Sequence, residues 1–227
     1  MPGPTSALSG VGTGVSAGST RRFPQSFLLL SLAGVRLGRA VSTTEVYQRV
    51  IARFTELLDG LEPQDWAAST PCEGWSVRDL VRHVVERDER VAGTVGGPAP
   101  EPLPEGTDLV RRWHERVLWW ADRLADPHQR VAVHSTPLGE FTFEQAAARF
   151  MIGELTVHTW DLARAIGREE RLDPEAVRIA YDNMRAADEG LLRRPGAMGP
   201  PIPTPPDSDE QTQFLAFTGR VPWTRTG

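Results

Sequence analysis

The sequence contains one cysteine and no lysine, and both scarcities narrow what the protein can be. A single cysteine, Cys72, excludes an internal disulfide and a cysteine-rich zinc site. We expect it to be a small buried apolar side chain, with a reactive thiol as the less common alternative. All 25 basic residues are Arg, which indicates coding bias rather than a function. The formal net charge of −5 argues against a general nucleic-acid partner, which would require a basic face.

Long hydrophobic runs and several common enzyme motifs are also missing. The apolar run over residues 27–35 is far too short to span a bilayer, which takes about 20 residues. We therefore expect no membrane partner and a cytoplasmic location. There is no Walker loop, no dinucleotide-binding fingerprint and no H-E-x-x-H motif, so three large enzyme classes lose their main support.

Residues 1–41 differ from the rest of the chain. The first acidic residue is Glu45, and the segment before it begins with a run rich in Gly, Ser, Thr and Pro that has no periodicity. Such a segment is predicted to be a disordered tail. A start of translation near Val41 would instead make it a mis-assigned start. Arg21 and Arg22 before the apolar run resemble a weak export signal, which is the minority interpretation.

The rest of the chain has the periodicity and capping signals of helices. Ser42 with Glu45, and Thr142 with Gln145, are capping boxes. Helices are predicted over residues 43–59, 76–92, 108–125, 142–166, 173–192 and 210–217, with a short hairpin or extended crossover over 129–143. We divide this part into a helical bundle over 42–194 and, over 195–227, a Pro-rich linker with a short C-terminal segment that packs on the bundle.

Two polar residues lie on the apolar face of the longest predicted helix. Glu154 and His158 are spaced i, i+4 on the stripe that includes Met151 and Leu162. An unpaired charge at such a position costs several kcal/mol, so each group needs a partner. A divalent cation bound by both side chains satisfies this need, and a Glu–His hydrogen bond within the core satisfies it equally. His83, on the flank of an earlier helix, is by itself typical of a boundary histidine.

Three segments together resemble a known family. They are Thr70-Pro71-Cys72-x-Gly74-Trp75-Ser76-Val77-Arg78-Asp79-Leu80-x-x-His83-Val84, the run over 153–165, and the closing Phe217-x-Gly219-Arg220-x-Pro222. They occur in the order typical of the DinB-like superfamily. More narrowly, the chain resembles the actinobacterial metal-binding branch related to the N-terminal domain of mycothiol-dependent maleylpyruvate isomerase.

The resemblance implies both a fold and a metal site. The fold is all-α, an up-down four-helix bundle of the DinB-like type, with the hairpin or crossover before the metal-binding helix and a small C-terminal extension. The divalent metal, usually zinc, would be held by His83, Glu154 and His158. Asp161, one further turn along, would orient a ligand imidazole or bind water. A salt bridge from Asp161 to Arg164 or another Arg is the alternative.

The resemblance also implies a chemistry. Three protein ligands leave positions open, as in catalytic zinc sites. The cosubstrate would be mycothiol or another low-molecular-weight thiol, and the partner a small electrophile, which predicts a thiol-dependent transferase or isomerase. Arg residues near the site would suit carboxylates of the thiol or substrate. The alternative is a non-catalytic metal-binding or stress-related regulatory bundle.

Overall fold

The protein is described here by a computed structural model that covers residues 41–136, 138–193 and 198–223. The expectations for the N-terminal tail therefore lie outside the described residues, apart from Val41, and so does Pro137 in the predicted turn. Within the described ranges, no helix combines the length and the apolar character needed to cross a membrane.

The described chain is mostly helical, which confirms the all-α prediction. Its helices are α1 (Thr43–Asp59), α2 (Val77–Thr94), α3 (Leu109–Ala125), α4 (Pro127–Arg130), α5 (Phe143–Ala165), α6 (Pro174–Arg185), α7 (Glu189–Leu192) and α8 (Glu210–Phe217). Strands β1 (Val133–Thr136) and β2 (Gly139–Thr142) pair antiparallel as a hairpin before α5. The up-down order of a four-helix bundle stays a prediction.

Reciprocal capping boxes begin three of the described helices where the sequence places their starts. The Ser42 hydroxyl accepts a hydrogen bond from the Glu45 amide at 3.2 Å, and the Glu45 carboxylate accepts one from the Ser42 amide at 2.7 Å. Each box satisfies backbone amides that have no partner inside the helix. The same reciprocal pairs begin α2 and α5, formed by Ser76 with Asp79 and Thr142 with Gln145.

The predicted helix over residues 173–192 is wrong in its second half, because the structure divides it into α6 and α7. The first half is held by Ala176, Val177 and Ala180, which are buried. After Arg185 the chain tightens, and the Ala187 amide donates to the Met184 carbonyl at 3.1 Å. Asp188 then precedes α7, and Asp side chains compete with the helical backbone for hydrogen bonds. Periodicity alone does not reveal this interruption.

Helix α5 is the centre of the bundle. Every residue from 155 to 163 is buried, so the helix is enclosed on all sides over more than two turns. It packs against α1, α2 and α6. At Gly153 a Cβ would lie 3.1 Å from Met184 Cε, which shows how closely α6 approaches. Side chains on α5 are therefore held by a rigid element that several others surround.

The C-terminal segment contributes to the packing. Phe214 and Leu215 of α8 are buried in a cluster with Val157 and Trp160 of α5. The Ile202 amide donates to the Ala216 carbonyl at 2.9 Å, which ties the preceding extended chain to α8. The boundary that we place between residues 194 and 195 lies outside the described ranges and stays a prediction.

A buried ion pair joins α2 to α3. Arg116 Nε donates to Asp88 Oδ1 at 2.6 Å, and the Trp120 indole donates to the other oxygen of the same carboxylate. Burial raises the pKa of Asp88, although Arg116 and Trp120 both act to lower it. The carboxylate therefore depends on these partners to remain charged in the core.

We predict that Arg116→Ala destabilises the fold by about 3–5 kcal/mol, because it leaves Asp88 buried without its cation. The free energy of unfolding from chemical denaturation measures the loss. The control is Arg111→Ala on the same helix, whose side chain is 68% exposed beside Glu115, and its effect should stay within about 0.5 kcal/mol. Equal effects of the two substitutions would contradict the assignment.

Candidate metal centre

The packing of α2 against α5 brings His83, Glu154 and His158 together. Glu154 Oε1 lies 2.8 Å from His83 Nε2 and 3.4 Å from His158 Nε2. The flank of α2 that carries His83 therefore faces the polar stripe of α5. The sequence alone did not require this contact, since it joins positions 71 residues apart.

These three side chains fit a divalent metal ion. Their ligand atoms all lie within 4.8 Å of one another. Two imidazole nitrogens and one carboxylate oxygen are a donor set that zinc takes, and donors around a tetrahedral zinc ion are about 3.3 Å apart. The separations of 2.8 and 3.4 Å lie on either side of that spacing. The group can hold such an ion with small side-chain movements, and its assignment as the ligand set stays a prediction.

The electrostatics of this group favour positive charge beside Glu154. Burial acts to raise the pKa of Glu154, but hydrogen bonds with His158 and His83 outweigh it and hold that pKa well below its usual range. For His158, burial acts to lower the pKa, yet Asp161, Cys72 and Glu154 raise it well above the usual value. Without a metal, a proton on His158 supplies the charge that balances the carboxylate. A bound cation would take over that role.

Asp161 holds the far side of the His158 ring. Its Oδ2 lies 3.0 Å from His158 Nδ1, and Arg220 donates to the same carboxylate through Nη2 at 2.7 Å and Nε at 3.2 Å. Burial would raise the pKa of Asp161, but Arg220 and then His158 lower it to about 2. The two alternatives considered for Asp161, orientation of an imidazole and an Arg salt bridge, therefore occur together. A proton on Nδ1, held by Asp161, leaves Nε2 as the ring nitrogen that a metal ion would use.

Cys72 is not the simple apolar side chain that we expected. It is half-buried, its Sγ lies 3.3 Å from Asp161 Oδ2, and Arg220 Nη2 donates to it at 3.4 Å. Cys72, His158 and Asp161 thus form a second group of possible metal donors. The Arg220 guanidinium already lies against two of its three members and supplies their positive charge. Arg220 belongs to the closing motif of the family resemblance, but no sequence signal pairs it with Asp161.

A cleft borders the candidate centre at His83. It has a volume of about 380 Å³ and is lined by Gly74, Trp75, Asp79, Arg82, His83 and Glu86. The Trp75 ring lies 4.8 Å from the His83 ring and 6.3 Å from the His158 ring, between centroids. A cleft of this size accommodates a small molecule. A larger one of about 480 Å³ lies beyond the C-terminal end of α5 and contains none of the three candidate ligands.

Comparisons with known proteins show the family of the chain. Residues 47–163 match the family described as the mycothiol maleylpyruvate isomerase N-terminal domain, and the matched range contains all three candidate ligands. Two uncharacterized proteins of Mycobacterium tuberculosis, from strains CDC 1551 and H37Rv, are each 30% identical over 177 residues. The alignments cover 77% of this chain and 96% of each relative. No solved structure matches the chain.

We predict about one divalent metal ion per chain after purification without chelator, lost in His158→Ala and in Glu154→Ala, because each removes one of three ligands. Elemental analysis measures the content. His114→Ala is the control, since His114 pairs with Asp59 at 2.8 Å. Cys72→Ser should also retain the metal. Cys72 belongs to the second group of possible donors, where the Arg220 guanidinium already supplies the positive charge. Full occupancy in both ligand variants would contradict the assignment.

We also predict that Arg220→Met weakens metal binding by about 10- to 100-fold while the stoichiometry stays the same, since Asp161 would no longer be held against His158. Asp161→Asn should act in the same direction. Competition with a chelator measures the affinity. Arg185→Met, at a side chain that is 55% exposed and pairs with Asp182, is the matched control. Unchanged affinity in Arg220→Met would show that the contact does not support the site.

Proposed function

The chain belongs to the mycothiol maleylpyruvate isomerase N-terminal domain family, and we propose that it is a divalent-metal-dependent transferase or isomerase. It would use mycothiol or another low-molecular-weight thiol as cosubstrate and act on small electrophilic molecules. The observation that carries this proposal is the convergence of His83, Glu154 and His158 beside a cleft that opens to solvent. Zinc is the ion we favour, because the donor set is two imidazoles and one carboxylate.

The number of protein donors supports a reactive site rather than a structural one. Closed structural zinc sites use four protein ligands, whereas catalytic sites use three and keep a position for water or substrate. Here the His83 side chain is 29% exposed and lines the cleft, so a small molecule can reach the group from that side. When bound, the metal would lower the pKa of a thiol, so that a thiolate nucleophile is available at neutral pH.

The protein's own residues would orient and enclose the reactants. Asp161, held by Arg220, fixes the orientation of His158. The Trp75 ring packs against the His83 ring, with 4.8 Å between centroids, and forms an aromatic wall beside the group. Asp79, Arg82 and Glu86 make the cleft wall polar, which suits a hydrophilic ligand better than an apolar one.

The test is a thiol-consumption assay with the zinc-loaded full-length protein, mycothiol and a panel of small electrophiles that includes maleylpyruvate. We predict that thiol loss or isomerisation exceeds the rate of chelator-treated protein and falls to that background in Glu154→Ala. His114→Ala should retain the rate of the unmodified protein. Inactivity towards every electrophile, with the metal shown to be bound, would contradict the proposal and favour a non-catalytic metal-binding or regulatory bundle.

A further inference from the structure

Arg87 lies at the edge of the candidate metal centre, and its guanidinium has N–H donors available for a further hydrogen bond. It follows His83 by one turn of α2, and its Nε is 3.9 Å from Glu154 Oε2, too far for a hydrogen bond. That oxygen is the one that neither histidine contacts. The Arg87 side chain is 37% exposed, and it makes no hydrogen bond within the described part of the chain. A guanidinium has five N–H donors, so this one can accept a further anion.

Two other arginines near the centre are already engaged in hydrogen bonds. Arg220 donates to Asp161 through two nitrogens. Arg82, in the cleft wall, donates to the carbonyls of Leu103 at 2.9 Å and Pro104 at 3.3 Å. Arg90, about one turn beyond Arg87, lies 4.0 Å from Glu86, which is also beyond hydrogen-bond distance, but its ion-pair neighbour is Glu86 and not a member of the candidate metal centre. Among the described residues close to the group, Arg87 is therefore the cation best able to bind a ligand.

The charge balance of the loaded site also calls for an anion. Arg220 offsets Asp161, and Arg87 offsets Glu154. With both histidines neutral, as metal ligands must be, a divalent ion leaves two positive charges in a largely buried place. A thiolate would neutralise one of them. A second anionic group on the ligand would neutralise the other, and a carboxylate matches the planar fork of a guanidinium.

We infer that Arg87 binds a carboxylate of the small molecule that occupies this site, and so selects carboxylate-bearing thiols or electrophiles over neutral ones. The inference rests on the proposed function, because it takes that molecule to bind beside His83, Glu154 and His158. Arg87 is thereby a specificity-determining residue for the ligand rather than a ligand of the metal.

The test uses the full-length protein loaded with cobalt(II), in which a thiolate ligand produces a near-ultraviolet charge-transfer band. The probes are mercaptopropionate and its neutral counterpart mercaptopropionamide. The unmodified protein should prefer the carboxylate by about 10- to 100-fold, as expected for a charged hydrogen bond. In Arg87→Gln the preference should fall nearly to one, with the affinity for mercaptopropionamide unchanged. Arg87→Lys should retain part of the preference, because it keeps the charge without the fork.

Arg90→Gln is the matched control on the same helix, because Arg90 faces Glu86 and not Glu154, and it should keep the full preference. Cobalt content is measured in every variant. An unchanged preference in Arg87→Gln would overturn the inference. An equal loss of affinity for both thiols would also overturn it, since Arg87 would then act only through Glu154 or the metal.

A thiol-free arm separates this inference from the proposed function. Calorimetry compares succinate with succinamide on the metal-loaded protein and on Arg87→Gln. Succinate binding that depends on Arg87, without a charge-transfer band from either thiol, would support the Arg87 assignment and contradict thiol binding at the metal. A charge-transfer band from both thiols without any carboxylate preference would support thiol binding at the metal and contradict the Arg87 assignment. No band and no succinate binding would contradict both.

Discussion

The Glu154 carboxylate lies between two imidazoles on the most enclosed helix of the bundle, and much of the surrounding arrangement follows from the need to balance its charge. A carboxylate taken out of water is costly unless hydrogen bonds and opposite charge compensate it. Here His83 comes from α2 and His158 from the next turn of α5. The pairing of α2 with α5 is thus both a packing contact and an electrostatic requirement.

The same requirement extends along α5. Glu154, His158 and Asp161 are spaced by four and three residues, so they follow one another on one side of the helix. The two carboxylates are compensated by parts of the chain outside α5: His83 of α2 contacts Glu154, and Arg220 beyond α8 donates to Asp161. The C-terminal segment is therefore part of the site, because it supplies the cation that Asp161 needs.

Membership of the family and the geometry of the centre are separate observations. The matched range, residues 47–163, contains the three candidate ligands but ends before Arg220. Arg87 lies within the range, yet only its position 3.9 Å from Glu154 distinguishes it from the many other arginines. A bundle that presents a candidate metal-binding group beside a cleft with polar walls is suited to small polar ligands.

The sequence by itself determined the features that depend on neighbours along the chain. The starts of α1 and α5 were predicted because a capping box involves residues three apart. The i, i+4 pair of Glu154 and His158 was visible for the same reason. The interruption between α6 and α7 was missed, because it reflects where apolar packing ends. The contacts of Cys72, Arg87 and Arg220 were decided only by the tertiary structure. Arg220, for example, meets Asp161 from 59 residues away, and no local pattern specifies which of 25 arginines will do so.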